Sequence, residues 1–178
     1  GTITFKDGAT ALSTVALVGG QCTYTSSALA VGTHALTAVY GGNTGYNASE
    51  TALPVAINVH QAATTTTVSS SSKESVLGQA VTFTATVNAV APGAGTCSGT
   101  IQFAINGAPW GSPAPVGGGK ATSSAISTLE LGNNLITAVY SGDNNFAGSD
   151  NNGSELIQSV KQFAATVNVS ASKNPAVV

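Results

Sequence analysis

Few side chains in this sequence could carry out chemistry, and they are scattered. His34 and His60 are the only histidines among 178 residues, and the seven acidic residues are spread along the chain. Hydrolysis by a catalytic triad or by paired carboxylates needs a base beside a nucleophile, or two acids held together. Neither histidine has an acid or nucleophile beside it that both halves of the chain retain. We therefore expect no enzymatic activity.

The densest group of oxygen ligands lies in residues 143–152. Hard cations such as calcium prefer carboxylate and amide oxygens, which makes Asp143, Asn145 and Asp150 the candidate metal ligands. Their spacing departs from that of an EF-hand loop, and the related segment Gly41–Thr44 lacks the acid. A hairpin turn held by local hydrogen bonds is the alternative interpretation. We favour the turn and expect neither a metal nor a cofactor.

Two further kinds of site rest on single residues. Trp110, which lies among prolines, is the one side chain that could stack on a sugar ring as a ligand contact, although a lone Trp more often covers the edge of a core. Asn47, Asn152 and Asn168 begin Asn-x-Ser/Thr sequons and are therefore candidate glycosylation sites. A chain this rich in Asn and Ser also produces such sequons by chance.

The composition excludes several classes of partner. Only 7% of residues are charged, the net charge is −2, and all five basic residues are lysines. Nucleic-acid binding requires clustered basic side chains, which five scattered lysines cannot provide. No apolar run approaches the roughly 20 residues that span a bilayer, so we expect no membrane insertion in this segment.

The elements that must position these residues are strands. Apolar side chains alternate with threonines from Val81 to Val87, the period-two pattern of a half-buried strand. Thr-Ala-Val-Tyr recurs at residues 37–40 and 137–140, and Gly1–Phe5 corresponds to Gly99–Phe103. Clusters of Gly, Asn and Asp interrupt the strands at short intervals. The pattern predicts an all-β protein built from a repeated antiparallel sandwich.

Three of these segments carry a resemblance to a known family. Gln79–Val87, Gly99–Phe103 and Ile136–Phe146 occur in the order and spacing of the bacterial immunoglobulin-like (Big-type) tandem repeats of large surface proteins, which they resemble. The resemblance covers essentially the whole chain and implies tandem immunoglobulin-like β-sandwiches. It maps strands A, B, C, E, F and G of one repeat onto residues 64–71, 80–88, 99–105, 120–128, 134–140 and 154–160.

This mapping divides the chain into three parts. Residues 1–62 (repeat 1) are predicted to lack strands A and B and to begin at strand C, and residues 63–162 (repeat 2) are predicted to form a complete repeat. Residues 163–178 match the first strand of a further repeat. Either the chain is a window of a longer array, or residues 163–178 of one copy complete repeat 1 of another by strand addition.

The resemblance also bears on the two cysteines. Cys22 would open strand E of repeat 1, while Cys97 would precede strand C of repeat 2. Two repeats joined end to end would hold these residues about a domain length apart, far beyond the roughly 5.5 Å Cα separation of a disulfide. We therefore expect no bridge between them.

The resemblance implies a structural or adhesive spacer, or stalk, in an extracellular or cell-surface protein. Its expected partners are neighbouring immunoglobulin-like repeats or copies of itself. Two other functions remain open at this point. One is a subunit of an extracellular filament assembled through residues 163–178, and the other is a module that binds a surface glycan or protein through its loops.

Overall fold

The computed structural model describes residues 1–170, which form only strands, turns and loops. No helix among them is long and apolar enough to cross a membrane. The strands of repeat 1 are β1 (Thr2–Asp7), β2 (Thr10–Ala16), β3 (Gly32–Tyr40), β4 (Ser49–Glu50) and β5 (Val55–Val59). Those of repeat 2 are β6 (Thr64–Ser70), β7 (Glu74–Val76), β8 (Phe83–Ala89), β9 (Thr100–Ile105), β10 (Ala108–Pro115), β11 (Lys120–Thr122), β12 (Gly132–Tyr140), β13 (Ser149–Asp150) and β14 (Leu156–Lys161).

Repeat 2 is a complete sandwich of two sheets. One sheet has the order β10-β9-β12-β14-β7, with β13 paired to β12, and the other has the order β11-β8-β6. The predicted alternation holds, since Phe83, Ala85 and Val87 of β8 face inward and are at most 3% exposed. They pack with Ile101, Phe103, Ile136, Ala138 and Tyr140 of the facing sheet into one apolar cluster.

Repeat 1 contains a counterpart of only one of these two sheets. Its sheet has the order β2-β1-β3-β4, with β5 also paired to β3, and its registers reproduce those of the larger sheet of repeat 2. Ile3 pairs with Tyr40 as Ile101 pairs with Tyr140. Among the described residues no second sheet covers it, and no residue before Thr66 is fully buried.

The strand map of repeat 2 needs correction at strand E and at three strands that it lacks, namely the short strands β7 and β13 and the longer β10. Strand E ends at Thr122 instead of continuing to residue 128, because the Ser123 hydroxyl accepts the backbone N–H of Phe83 (3.0 Å) and takes part in the pairing itself. An additional strand, β10, was not predicted. It contains Pro109, Pro113 and Pro115, which cannot donate ladder hydrogen bonds and are tolerated because β10 is an edge strand.

The segment after repeat 2 is only partly described. Residues 163–170 form no strand and are exposed along their whole length. The rest of the predicted segment, 171–178, lies outside the described residues.

Candidate functional site

The structure places an acid, Asp7, beside one of the two histidines, although repeat 2 does not retain that acid. Nδ1 of His34, in β3, lies 2.6 Å from Oδ2 of Asp7, at the end of β1. Nε2 of His34 lies 2.8 Å from the backbone oxygen of Ala30. While Asp7 is ionised both neighbours are acceptors, so this geometry favours the protonated imidazole, in which both ring nitrogens donate.

Repeat 2 has the same arrangement without charge. Asn134 occupies the position of His34, and Asn106, which lies one residue beyond the equivalent of Asp7, donates a 3.3 Å hydrogen bond to it from its side chain. Asn134 donates to the backbone oxygen of Glu130 (2.9 Å), as His34 does to that of Ala30. The pair in repeat 1 is therefore a structural clamp between two strands, with no nucleophile attached to it.

The clamp of repeat 1 is ionisable, and its two pKa values move apart. The hydrogen bond from His34 is the largest influence that lowers the pKa of Asp7, and the hydrogen bond to Asp7 is the largest that raises the pKa of His34. Oδ1 of Asp7 also accepts the backbone N–H of Ala35 (3.1 Å). Protonation of Asp7 therefore weakens both the ion pair and a backbone contact.

We expect the stabilising effect of this clamp to be complete between about pH 4 and pH 6.5, where both groups are also charged in the unfolded chain. It is lost as the pH rises through the raised pKa of His34, and again as it falls through the lowered pKa of Asp7. Hydrogen-exchange protection of the Ala35 amide, measured by NMR across this range, reports the effect. The equivalent Leu135 amide, which donates to Asn106 (2.8 Å), serves as the internal control.

The double substitution Asp7→Asn with His34→Asn replaces the ionisable pair of repeat 1 by two asparagines, the residue type that repeat 2 uses for its pair. We expect protection at Ala35 to become independent of pH in this variant. Equal pH dependence in the variant and the parent chain would show that the clamp does not control this part of repeat 1.

The carboxylate of Asp143 organises the turn that follows β12. Its Oδ1 accepts the backbone N–H groups of Asn145 (2.8 Å) and Phe146 (2.9 Å). Its Oδ2 accepts the backbone N–H (2.8 Å) and the hydroxyl (2.6 Å) of Ser98. The Ser98 hydroxyl, followed by the three backbone N–H groups, holds the pKa of Asp143 well below its ordinary value.

The same turn occurs in repeat 1, where Oδ1 of Asn43 accepts the N–H groups of Gly45 (2.8 Å) and Tyr46 (2.9 Å). Of the three candidate calcium ligands, Asp143 and Asn145 are neighbours within this turn. Asp150 lies in β13, and its carboxylate accepts the Asn152 N–H (3.0 Å). Within residues 1–170 no group of three or more His, Cys, Asp or Glu side chains is placed to hold a metal ion.

Cys97 and Tyr140 lie near Asp143 on the buried side of the same turn, and both are at most 2% exposed. Burial is the main cause that raises the pKa of the Cys97 thiol, and burial with the Asp143 charge raises the pKa of Tyr140 to about 12. Both groups are therefore neutral at physiological pH, and a neutral buried thiol is a poor nucleophile. Cys22 is half-buried in repeat 1, and neither cysteine forms a disulfide in the described residues.

Trp110 lies on the edge strand β10, opposite Phe103 of β9. It is half-buried and packs against the apolar cluster of repeat 2, and its indole nitrogen is enclosed without a hydrogen-bond partner. A ring in this position contributes to the core, and a sugar contact at Trp110 stays a prediction.

Asn47, Asn152 and Asn168, the three sequon asparagines, are all exposed. A glycan could be accommodated at each of them, and glycosylation stays a prediction.

Asn151 is a structural residue that sequence analysis missed. It is 2% exposed, and its Oδ1 accepts the backbone N–H of Ala138 (2.8 Å). Ala138 lies in β12 between the residues that pair with β14 and those that pair with β13. In repeat 1 the hydroxyl of Thr51 accepts the N–H of Ala38 (3.3 Å) in the same way. The sequence signal that could have found Asn151 is the polar residue that both repeats have at this position, Thr51 in repeat 1 and Asn151 in repeat 2.

Two units of the same strand order, one of them a complete two-sheet sandwich, define a tandem immunoglobulin-like protein. The family model described as bacterial Ig-like domain (group 3) matches residues 1–60 and again residues 65–161. The chain therefore belongs to the bacterial Ig-like domain family, group 3, and the resemblance and the fold class inferred from the sequence are confirmed. No curated protein and no solved structure matches the chain. The boundaries at residues 62/63 and 162/163 stay predictions.

Proposed function

We propose that this chain is a non-catalytic spacer segment in an extracellular or cell-surface protein, where it holds a distal part of that protein at a defined distance. Domains of this family typically occur in surface or extracellular proteins. The near absence of charge and the buried, neutral state of Cys97 and Tyr140 agree with a structural role. Adhesion would then be a property of whatever the spacer carries.

The observation that carries this proposal is the way the link between the repeats is held. Strand β5 ends at Val59, and Ala62 is already paired with Phe146 of repeat 2 in a parallel bridge. The Ala62 N–H donates to the backbone oxygen of Asn145 (2.8 Å), and the Ala147 N–H donates to that of Ala62 (2.9 Å). Only His60 and Gln61 lie between, and the Gln61 side chain donates to the backbone oxygen of Asp143 (2.6 Å). A link this short, held at one end, restricts bending between repeats.

Pulsed electron-spin distance measurements test this directly. Spin labels at Asn47→Cys and Asn152→Cys, exposed positions in different repeats, are introduced with Cys22→Ser and Cys97→Ala, and labelled chains are diluted with unlabelled chains to remove intermolecular signals. A spacer gives one narrow distance distribution. Insertion of Gly-Ser-Gly-Ser after Gln61 broadens it, as a flexible linker must. A distribution that is already broad before the insertion would overturn the proposal.

A further inference from the structure

We propose that repeat 2 bears tension along the chain, and that its resistance comes from the parallel pairing of β7 with β14, which we call the terminal pair. The inference rests on the proposed spacer function, because a segment that holds a distal part of a protein in place is pulled at both ends whenever that part is pulled. It deepens that function by naming the strands that carry the load.

The two strands of the terminal pair lie close to the two ends of repeat 2. β7 follows β6, the first strand after the link, and β14 is the last strand before residue 163. The two strands run in the same direction and occupy neighbouring places in the larger sheet. In their register Glu74 lies opposite Ser159, and Val76 lies opposite Lys161. The two ends of repeat 2 are therefore connected directly through one strand pair.

Parallel pairing places this connection in shear under tension. Pulling on the link draws β6 and β7 towards their N-terminal ends, whereas pulling on the residues after Lys161 draws β14 towards its C-terminal end. The hydrogen bonds of a parallel pair cross between the strands, so opposed forces along the strands load all of these bonds together. The terminal pair must also break whichever end unravels, since β14 is bonded to β7 and the chain beyond β6 is held until β7 leaves.

Side chains join the terminal pair on both faces of the sheet. On the inner face, Nε2 of Gln158 donates to Oγ of Ser75 (3.3 Å), and both residues are buried. On the outer face, Nζ of Lys161 lies 2.6 Å from Oε2 of Glu74. At the end of the pair the Leu77 N–H donates to the backbone oxygen of Lys161 (2.9 Å). Each of these contacts must break when β7 and β14 slide past each other.

The buried amide of Gln158 is the contact that equilibrium stability explains least. Gln158 is 0% exposed, and its Oε1 has no hydrogen-bond partner within residues 1–170. A buried acceptor without a partner costs free energy. Repeat 1 has Ile57 at the equivalent position, opposite His34 as Gln158 is opposite Asn134, so the fold accepts an apolar side chain there. A hydrogen bond between the two end strands gives the amide a mechanical use.

Hydrogen bonds resist force better than burial does at equal free energy. A hydrogen bond is lost when donor and acceptor separate by less than about 1 Å beyond their normal distance. The free energy of apolar burial is lost gradually, in proportion to the area that becomes exposed. The same free energy lost over a shorter displacement corresponds to a larger force. The contact between Gln158 and Ser75 should therefore contribute more to mechanical resistance than to equilibrium stability.

Single-molecule pulling of the 178-residue chain along two directions tests the proposal. Handles at His60→Cys and Gln162→Cys, both exposed positions, are introduced with Cys22→Ser and Cys97→Ala, so that repeat 2 lies between the handles and the terminal pair is sheared. The matched control moves the first handle to the exposed Leu131.

In this control the handles at residues 131 and 162 flank Gly132 and Val160, which are paired at one end of β12 and β14. Pulling there peels β14 from β12 one residue pair at a time. We expect the unfolding force of the sheared direction to be at least about twofold larger than that of the peeled direction.

A double variant separates mechanical resistance from equilibrium stability. Ser75→Ala with Gln158→Met replaces the buried polar pair by apolar side chains of similar shape, so the urea midpoint, read by Trp110 fluorescence, should not fall. Under constant force between residues 60 and 162, its unfolding rate should rise at least about fivefold, the factor that the loss of one hydrogen bond at the barrier gives.

Ser123→Ala is the matched control for this variant. It also removes a buried hydrogen bond, the one that Ser123 accepts from the Phe83 N–H (3.0 Å), but that bond joins β8 to the segment after β11, and neither is an end strand. Ser123→Ala should lower the urea midpoint and leave the unfolding rate under force within about twofold of the parent chain.

Equal unfolding forces in the two pulling directions would overturn the proposal, as would a folded double variant whose unfolding rate under force matches that of the parent chain. If the double variant does not fold, the two pulling directions decide alone, because they leave β7 and β14 unsubstituted. The outcome is separable from that of the spacer test. A narrow spin-label distribution with equal forces removes load bearing alone. A broad distribution with a twofold difference in force removes the rigid spacer alone, because a flexible link also transmits tension.

Discussion

Replacing Phe103 by Ala lowers the free energy of unfolding of repeat 2 by about 3–5 kcal/mol. Phe103 is 2% exposed, pairs with Ala138 and lies between the two sheets. Its removal loses the free energy gained by transferring a whole aromatic ring from water into the core. It also leaves a cavity that the surrounding sandwich cannot fill completely. Urea unfolding followed by Trp110 fluorescence measures the loss, because Trp110 is the only tryptophan and packs against this core.

Phe5→Ala is the matched substitution in repeat 1, at the same place in the same register, opposite Ala38. There the ring is only half-buried, with Tyr24 stacked on it at 5.6 Å between ring centroids, so the loss should be smaller, about 1–2 kcal/mol. The comparison is made at a concentration where the chain is monomeric, with NMR signals of repeat 1 as the probe. If Phe5→Ala costs as much as Phe103→Ala, the partial exposure of Phe5 does not reduce its contribution to the stability of repeat 1.

The elements with regular alternation could be predicted from the sequence. Residues 81–87 alternate apolar side chains with threonine, and they form the central strand of the smaller sheet, as expected. The recurrence of Thr-Ala-Val-Tyr marks β3 and β12, whose registers against β1 and β9 are the same in both repeats. In the segments of repeat 2 the residues that the local pattern assigns to the inward face are the ones that are buried, so the strands and their inward faces can be predicted from the sequence.

Strand β10 could not be predicted, because its stability comes from its partner. Its prolines argue against a strand, and its pairing with β9 shifts register between Trp110 and Ala114. An edge strand needs only one row of hydrogen bonds, so prolines whose nitrogen faces outward are compatible with it. That condition depends on where the strand lies in the sheet, which no local pattern reports.

The clamp between Asp7 and His34 was missed for a related reason. Its residues are 27 positions apart, and its equivalent in repeat 2 is built from two asparagines. A search for a retained acid and histidine fails, because what the repeats retain is a hydrogen-bond geometry and not a residue type. Recognition requires the strand register, which brings the end of β1 beside the start of β3.

The two repeats share the registers of β3 and β12 against their neighbours and the turn that follows each of these strands. What differs is the side chain that makes the hydrogen bond at a shared position, such as Thr51 in repeat 1 and Asn151 in repeat 2.

The second large effect is expected at Asp143. Asp143→Ala removes a carboxylate that accepts four hydrogen bonds and should lower the stability of repeat 2 by about 2 kcal/mol. Asp143→Asn should cost less, about 1 kcal/mol, because an amide oxygen can keep the bonds to Asn145 and Phe146, as Asn43 does in repeat 1. What it loses is the charge-assisted contact with Ser98.

The pH dependence separates the charge from the shape of the turn. The pKa of Asp143 is lower in the folded chain than in the unfolded chain, so below about pH 4 the unfolded chain takes up the proton first. The contribution of Asp143 is therefore complete above about pH 4 and is lost as the pH falls through the lowered pKa of the folded state. Urea midpoints of the parent chain, read by Trp110 fluorescence, should decline over this range, and those of Asp143→Asn should decline less.

Asp150→Asn is the matched control, because Asp150 is an exposed acid in the next strand whose carboxylate accepts only the Asn152 N–H. It should leave the acid decline of repeat 2 nearly unchanged. If Asp143→Asn and the parent chain lose stability in parallel below pH 4, the charge of Asp143 is not what closes the loop around Ser98. The turn would then be stabilised by its backbone hydrogen bond from Asp143 to Phe146 (2.9 Å) and by the two bonds that an uncharged side-chain oxygen can also accept, as Asn43 does in repeat 1.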